Sequence, residues 1–577
     1  MPHLIADTKW AFTRLYMAAS KHLVTPFKEL PSATAARHAK AVRESHMVAM
    51  RDGVALNTDV YLPAESGGDR APGTFPAVLI RVPYGNRESY TYMPAVGRFW
   101  ARRGYACAVQ DVRGRFGSQG QWTTFVNEVD DGHDTIDWIA RRPWSDGRVA
   151  LTGESYYGFT AWAGAASQHP AVVCTAPGDM GLDMYTMLYE GGALCLGSTA
   201  MWACDQAGSG YLNWYRLDSE HLPLREMSEA AGLPSDNYRD AVDNPTRMAR
   251  WEELDFRHLI DKIEVPVMVW DGWYDVLLPG ALQAWQELAV RRPEVPRRLV
   301  IGPTDHETSS DHSGRIGRIA IPEGPRTWDR VLEFIDAVMA SRDLGPRVSL
   351  YITGADRWHH TTAWPPPEAR PYRLYLHADG TLSPMAPTGP EPDIQFTYDP
   401  ADPVRSWQGK DLWAMTRGLE DRRPLHRRPD VLVYRSEPLE RPTDIVGPVS
   451  VRLAVSTTAP GTDFTAALID IASDGHAQFV QEGICRLSHT DQTDTPQAPA
   501  DGAPRHIDIS LTATGYRFAA GHRIAIEVSS SSFDRWDRNL NTGPDGDGVT
   551  MRTARQTIHH SAQTPSHLDV LVLGEPG

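Results

Sequence analysis

The 577-residue chain sets 57 Lys and Arg against 73 Asp and Glu, and the resulting formal net charge of −16 excludes a nucleic-acid binder, which needs a basic face for phosphates. Its length and 41% hydrophobic content exceed one core, so two or three domains are expected. Five cysteines (Cys107, Cys174, Cys195, Cys204 and Cys485), odd in number and without a C-x-x-C pair, give no disulfide framework and no zinc or redox motif. They read as small core residues in a reducing compartment, so a cytoplasmic protein with no metal and no cofactor is expected.

Taken in order, residues 1–44 form an extension with one amphipathic helix predicted from Asp7 to His22, packed on the body or on a second copy of the chain in a homodimer. Charges at Lys9, Arg14 and Lys21 interrupt any run long enough for a signal segment or a membrane span. Two alternating runs, Val48 to Met50 and Val54 to Tyr61, flank Asp52-Gly53 and predict a β-hairpin. Short apolar runs spaced by helical segments follow at Ala77 to Val82, Tyr105 to Asp111, Arg148 to Thr152, Val172 to Ala176, Val265 to Asp271 and Arg297 to Ile301. Continuous apolar strands alternating with helices predict a largely parallel sheet covered on both faces, with ligands at the carboxyl ends of its strands.

Over residues 181–261 the strand signal lapses and Met, Trp, Leu and Tyr recur at helical spacing, which predicts an inserted helical cap. From residue 346 to 577 the texture is β. Val449, Val451, Leu453 and Val455 alternate with Ser450, Arg452, Ala454 and Ser456, and a jelly-roll β-sandwich is expected. The predicted catalytic body is therefore 45–180 with 262–345.

A serine is a poor nucleophile unless a base takes its proton and an acid orients that base. The stretch Gly153-Glu-Ser155-Tyr-Tyr-Gly158 lies at a predicted strand-to-helix turn, where a strained serine exposes its hydroxyl and the next amide, that of Tyr156, points at a forming oxyanion. In an α/β-hydrolase the acid and then the histidine follow the serine along the chain. Asp275, in Asp271-Gly-Trp-Tyr-Asp275, is the preferred acid, with Asp271 and Asp305 as competitors. Among 21 histidines, His306 is the one that follows a predicted strand downstream of both, whereas His133 reads as a solvated or capping residue. Tyr84, in the loop after the first parallel strand, offers its hydroxyl as the second oxyanion donor.

These pieces together resemble the cocaine esterase and X-Pro dipeptidyl-peptidase family of serine hydrolases. The resemblance runs from about Met47 to the C-terminus through Arg81-Val-Pro-Tyr84, Asp111-Val-Arg-Gly114, Pro143-Trp-Ser-Asp-Gly147, the Gly153 to Gly158 elbow, Gly272-Trp-Tyr-Asp275, Gly302-Pro-Thr-Asp-His306 and Asn539-Leu-Asn-Thr-Gly543. It implies an α/β-hydrolase with an inserted helical cap and a C-terminal jelly roll, a Ser155, Asp275, His306 triad, and an oxyanion hole from the Tyr84 hydroxyl and the Tyr156 N–H. Thr304 departs from the tryptophan common in the family, and residues 1–44 lie outside the resemblance.

Relatives acting on α-amino acyl groups carry carboxylates directly after the triad acid, but here Val276-Leu277-Leu278 follow. An unpaired buried ammonium is costly, so an ester or amide with an apolar or aromatic acyl group lacking a free amine is expected, flanked by Trp202, Trp214 and Leu277. Rival readings are an acyltransferase on the same triad, an X-Pro dipeptidyl aminopeptidase, and a non-catalytic carbohydrate-binding protein.

Overall fold

A computed structural model describes residues 30, 32–87, 92–207, 216–247, 249–306, 315–316, 319–321, 327–406, 421–489 and 502–576. The helix predicted from Asp7 to His22, and Trp214, lie outside these.

Ten strands form the first sheet: β1 (Lys40–Ala49), β2 (Ala55–Ala64), β3 (Phe75–Val82), β4 (Ala106–Asp111), β5 (Ser145–Glu154), β6 (Val172–Gly178), β7 (Val267–Gly272), β8 (Arg297–Gly302), β9 (Val348–Ile352) and β10 (Arg357–Thr361). Their spatial order is β1-β2-β4-β3-β5-β6-β7-β8-β9-β10. Pairing is parallel from β4 across to β9, and antiparallel at both margins. The β1–β2 hairpin closes through the Met50 N–H to Val54 O bond, 2.8 Å, with Gly53 at φ 85°. A side chain disfavours that left-handed conformation, which is why the predicted Asp-Gly turn works.

The apolar runs are continuous because successive residues enter two different cores. Val78, Ile80, Val109, Met268 and Val300 pack with helices Met93–Arg102 and Thr327–Met339 through Phe99, Trp100, Trp328 and Val331. Leu79, Leu151, Val269 and Leu299 pack on the other face with Ile136, Trp162 and Trp285, from helices Glu128–Ala140, Ser155–Ala166 and Leu278–Arg291. Between β6 and β7 the described chain is mainly helical, at Met184–Leu188, Leu196–Ala207, Met227–Ala230, Asp236–Asp243 and Ala249–Glu252.

Two features mark the margins of this sheet. The first strand already starts at Lys40, and just before it the Ala33 N–H donates to Asp329, 2.8 Å, while Arg37 pairs with Asp336, 3.1 Å. At the other end, β9 and β10 lie past residue 346 yet extend the first sheet, so the β-rich texture begins inside it.

Beyond β10 the described residues build two antiparallel sheets. Thr443–Thr457 lies centrally in the larger, between His567–Leu573 and Ala554–His559, and also pairs with Arg505–Phe518. Leu432–Arg435, Arg523–Ser529, Asp463–Ile471 and Ala477–Arg486 form the smaller. Val451, Leu453, Ile509 and Val570 of one sheet share a core with Phe464, Leu468 and Ile526 of the other, so the predicted alternation marks the inward face.

Candidate active site

Strand register brings the chemistry to one edge. Glu154 pairs with Gly178, Gly178 with Trp270, and Gly272 with Gly302, so the carboxyl ends of β5, β6, β7 and β8 finish level with one another. Ser155 follows β5 immediately and begins helix Ser155–Ala166, at φ 57° and half-buried. A left-handed conformation costs a non-glycine residue about 1–3 kcal/mol and persists only where the surroundings dictate it. Two glycines do so here, because a Cβ on Gly153 would stand 2.4 Å from Tyr157 O and one on Gly158 would stand 2.4 Å from Gly178 O. That close crossing is the physical content of the Gly153 to Gly158 spacing. Gly158→Ala is accordingly expected to cost about 3 kcal/mol or more, since the obstacle is backbone rather than a side chain that can rotate; a thermal melt of the purified variant measures it.

The Tyr156 side chain points away from this edge. Its hydroxyl donates to Glu128 Oε1 (2.8 Å) and accepts from the Phe125 N–H (2.9 Å) and the Trp122 indole (3.2 Å), which anchors the first turn of the helix. The Tyr156 amide sits in that first turn, among N–H groups that have no intrahelical acceptor and suit an anion.

Tyr84 is buried, and its hydroxyl accepts the Trp202 indole N–H at 3.0 Å, with Ser155 close by. Burial pushes the Tyr84 phenol up to about 12, so it stays a neutral donor at any ordinary pH. Trp202, on helix Leu196–Ala207, is half-buried among aromatic rings. It lies parallel to Phe125 with centroids 6.4 Å apart, and Phe125 stacks on Tyr156 at 4.6 Å. Arg115 ties this helix to the Tyr84 loop, donating to Pro83 O (3.0 Å) and to Gln206 Oε1 (2.9 Å).

On the neighbouring strands, Asp275 is fully buried and its Oδ2 lies 2.9 Å from His306 Nδ1. Its Oδ1 accepts the Leu277 N–H, 2.7 Å. The two loops are joined through backbone, with Trp273 N–H to Gly302 O at 3.0 Å and Tyr274 N–H to Thr304 O at 2.9 Å. The Thr304 carbonyl makes that link, so the departure from tryptophan leaves it intact. The C-terminal β sheets also reach this loop, since Gln481 Nε2 donates to Trp273 O at 2.6 Å. His306 keeps 12% of its side chain exposed, against none for Asp275.

Of the predicted residues, Tyr84 meets Trp202 and lies near Ser155, and Asp275 meets His306. Leu277 is half-buried and contributes its amide to the acid. Sequence reasoning missed Asp179, whose carboxylate lies close to Asp275 and His306. Its local signal is weak, a place directly after an apolar strand that does not set it apart from other aspartates.

The model of the X-Pro dipeptidyl-peptidase (S15) family matches residues 52–308, and that of the X-Pro dipeptidyl-peptidase C-terminal non-catalytic domain matches 342–569. The chain is 32% identical to a cocaine esterase of Rhodococcus sp. (strain MB1 Bresler), over 92% of this chain and 98% of that one. Among solved structures, an α-amino acid ester hydrolase superposes with TM-score 0.83 at 25% identity, covering 95% of this chain and all of the other (100%). An aminopeptidase from a marine sediment Thaumarchaeota archaeon superposes with TM-score 0.82 at 25% identity, covering 95% and 99%.

Proposed function

Because the chain belongs to the X-Pro dipeptidyl-peptidase (S15) family of serine hydrolases, we propose that Ser155, Asp275 and His306 hydrolyse an ester or amide through an acyl-enzyme. The single observation that carries the assignment is the 2.9 Å contact between His306 Nδ1 and the buried Asp275 carboxylate. It fixes the tautomer in which the other ring nitrogen is the one that can take the Ser155 proton. Ser155 Oγ then attacks the substrate carbonyl, and the oxyanion is met by the Tyr84 hydroxyl and the Tyr156 N–H. His306 returns the proton to the leaving alcohol or amine, and water repeats the cycle on the acyl-enzyme.

An apolar or aromatic acyl group without a free α-amine is the substrate class this site favours. Trp202, Phe125 and Trp122 supply flat apolar surface beside Tyr84, and Val276 to Leu278 follow the acid where an ammonium would need a carboxylate. The likeness to a protein named cocaine esterase supports an ester substrate. A reducing compartment suits the chain, whose five cysteines are free and buried. Among the described residues no helix is long and apolar enough to cross a membrane.

The test is a panel of p-nitrophenyl esters and matched anilides, with Ser155→Ala as blank. Benzoyl and short apolar acyl esters are expected to be cleaved at least tenfold faster, in kcat/KM, than α-aminoacyl esters and X-Pro anilides, a discrimination of the size that an unpaired buried charge imposes. A preference for the amine-bearing substrates would refute the acyl-group assignment. Acyl transfer to an added alcohol outpacing hydrolysis would move the assignment to an acyltransferase.

A further inference from the structure

The carboxyl end of β6 brings a second carboxylate to the acid–imidazole pair. Asp179 directly follows Gly178, is fully buried, and holds φ 47° while its backbone N–H donates to Trp270 O at 3.0 Å. One carboxylate oxygen of Asp179, one of Asp275 and one ring nitrogen of His306 all lie within 4.8 Å of one another. Asp183, four residues on, is a structural aspartate by comparison: it caps helix Met184–Leu188 and pairs with Arg247.

We propose that Asp179 is a second orienting acid for His306, a positioning residue that shares with Asp275 the task of holding the imidazole and balancing its charge. The proposal rests on the assignment of Ser155 and His306 given above. Two buried carboxylates so close together repel unless a positive charge lies between them, and His306 becomes that charge when it takes the Ser155 proton. The cluster is thus best balanced in the transition state, where stabilisation raises the rate. Like Ser155 one strand away, Asp179 holds a left-handed conformation that a non-glycine residue keeps only where its surroundings impose it. Both Asp275 oxygens are engaged, one by His306 and one by the Leu277 N–H. If Asp275 can no longer accept the ring proton, Asp179 still places a carboxylate within reach of the imidazole.

The experiment measures kcat/KM of the full-length chain for one reporter ester in wild type, Asp275→Asn, Asp179→Asn and the double variant, with Ser155→Ala alongside. Where a histidine has a single orienting acid, replacing it by asparagine costs about 10⁴-fold, because the amide imposes the wrong tautomer. Here Asp275→Asn is expected to lose only about 10²-fold, Asp179→Asn about 10-fold, and the double about 10⁴-fold or more, a non-additive loss. An Asp275→Asn loss that already reaches 10⁴-fold, or a double loss no larger than the product of the single ones, overturns the proposal. The Asp275→Asn variant retains the native Asp179, so its residual rate decides even if Asp179→Asn does not fold. A Ser155→Ala protein as active as wild type would instead refute the mechanism itself, whatever the carboxylates do.

Discussion

Ser155→Ala is expected to lower kcat/KM by about 10⁴-fold or more on every ester the wild type cleaves, with KM little changed. The hydroxyl is the atom that becomes acylated, and at φ 57° above the ends of β5 and β6 few other positions could present it to a carbonyl. His306→Ala is expected to fall as far, and the Ser155→Ala/His306→Ala double no further. The nucleophile and its base act as one unit, so the second loss removes nothing that the first has left. What survives is the rate that an oxyanion hole and binding alone provide. Neither change touches a core: Ser155 is half-buried, and His306 lies in a loop with part of its ring in solvent. Unchanged thermal melts should therefore accompany the lost rates. Mass spectrometry after fluorophosphonate treatment gives the second readout, one adduct on Ser155 in wild type and none in Ser155→Ala. Rates within tenfold of wild type would mean that another residue carries the acyl group.

Tyr84→Phe is expected to cost about 10²- to 10³-fold in kcat, again with little change in KM. The phenol lies near Ser155 in the resting site, and its contact with the substrate oxygen strengthens only as that oxygen becomes an anion. Removing it leaves the substrate bound as before and the tetrahedral intermediate one donor short. The Trp202 indole, 3.0 Å from the same hydroxyl, holds the phenol in place from the cap. Trp202→Phe should therefore give a smaller loss in kcat than Tyr84→Phe, and no added loss when the two are combined, because without the hydroxyl the indole has nothing to hold. The pH dependence has a definite sign as well. Burial raises the Tyr84 pKa to about 12, the donor proton is present below that value, and activity should show no falling limb from this group up to about pH 10. Initial rates across buffers for wild type and Tyr84→Phe test it; a limb near pH 9 that vanishes in Tyr84→Phe would contradict the burial.

Much of this protein is written in local patterns. The parallel strands were legible because each is buried on both faces, so that Val78 and Leu79, or Val300 and Leu299, enter opposite cores and leave an unbroken apolar run. The elbow was legible because backbone approaches at Gly153 and Gly158 admit no Cβ, a demand that places glycines at fixed spacing around the serine. The chain order of serine, acid and histidine followed from the sheet that such strands must build. Strand membership at the margin was not legible. Alternation records which face of a strand is apolar, not which neighbour receives its hydrogen bonds, and so Val348–Ile352 and Arg357–Thr361 read as the start of the β domain although they extend the first sheet.

The contacts that fit the site for chemistry were also decided in three dimensions. Nothing local to Tyr84 announces Trp202, nothing near Asp275 announces Gln481 reaching Trp273 from the C-terminal sheets, and Asp179 resembles any aspartate after a strand until β6 sets it beside His306. Side-chain type and spacing along the chain determine which element forms and which residues it presents. Which of those residues face each other across tens or hundreds of positions depends on how layers pack and where loops from separate strands converge, and only the folded chain holds that information.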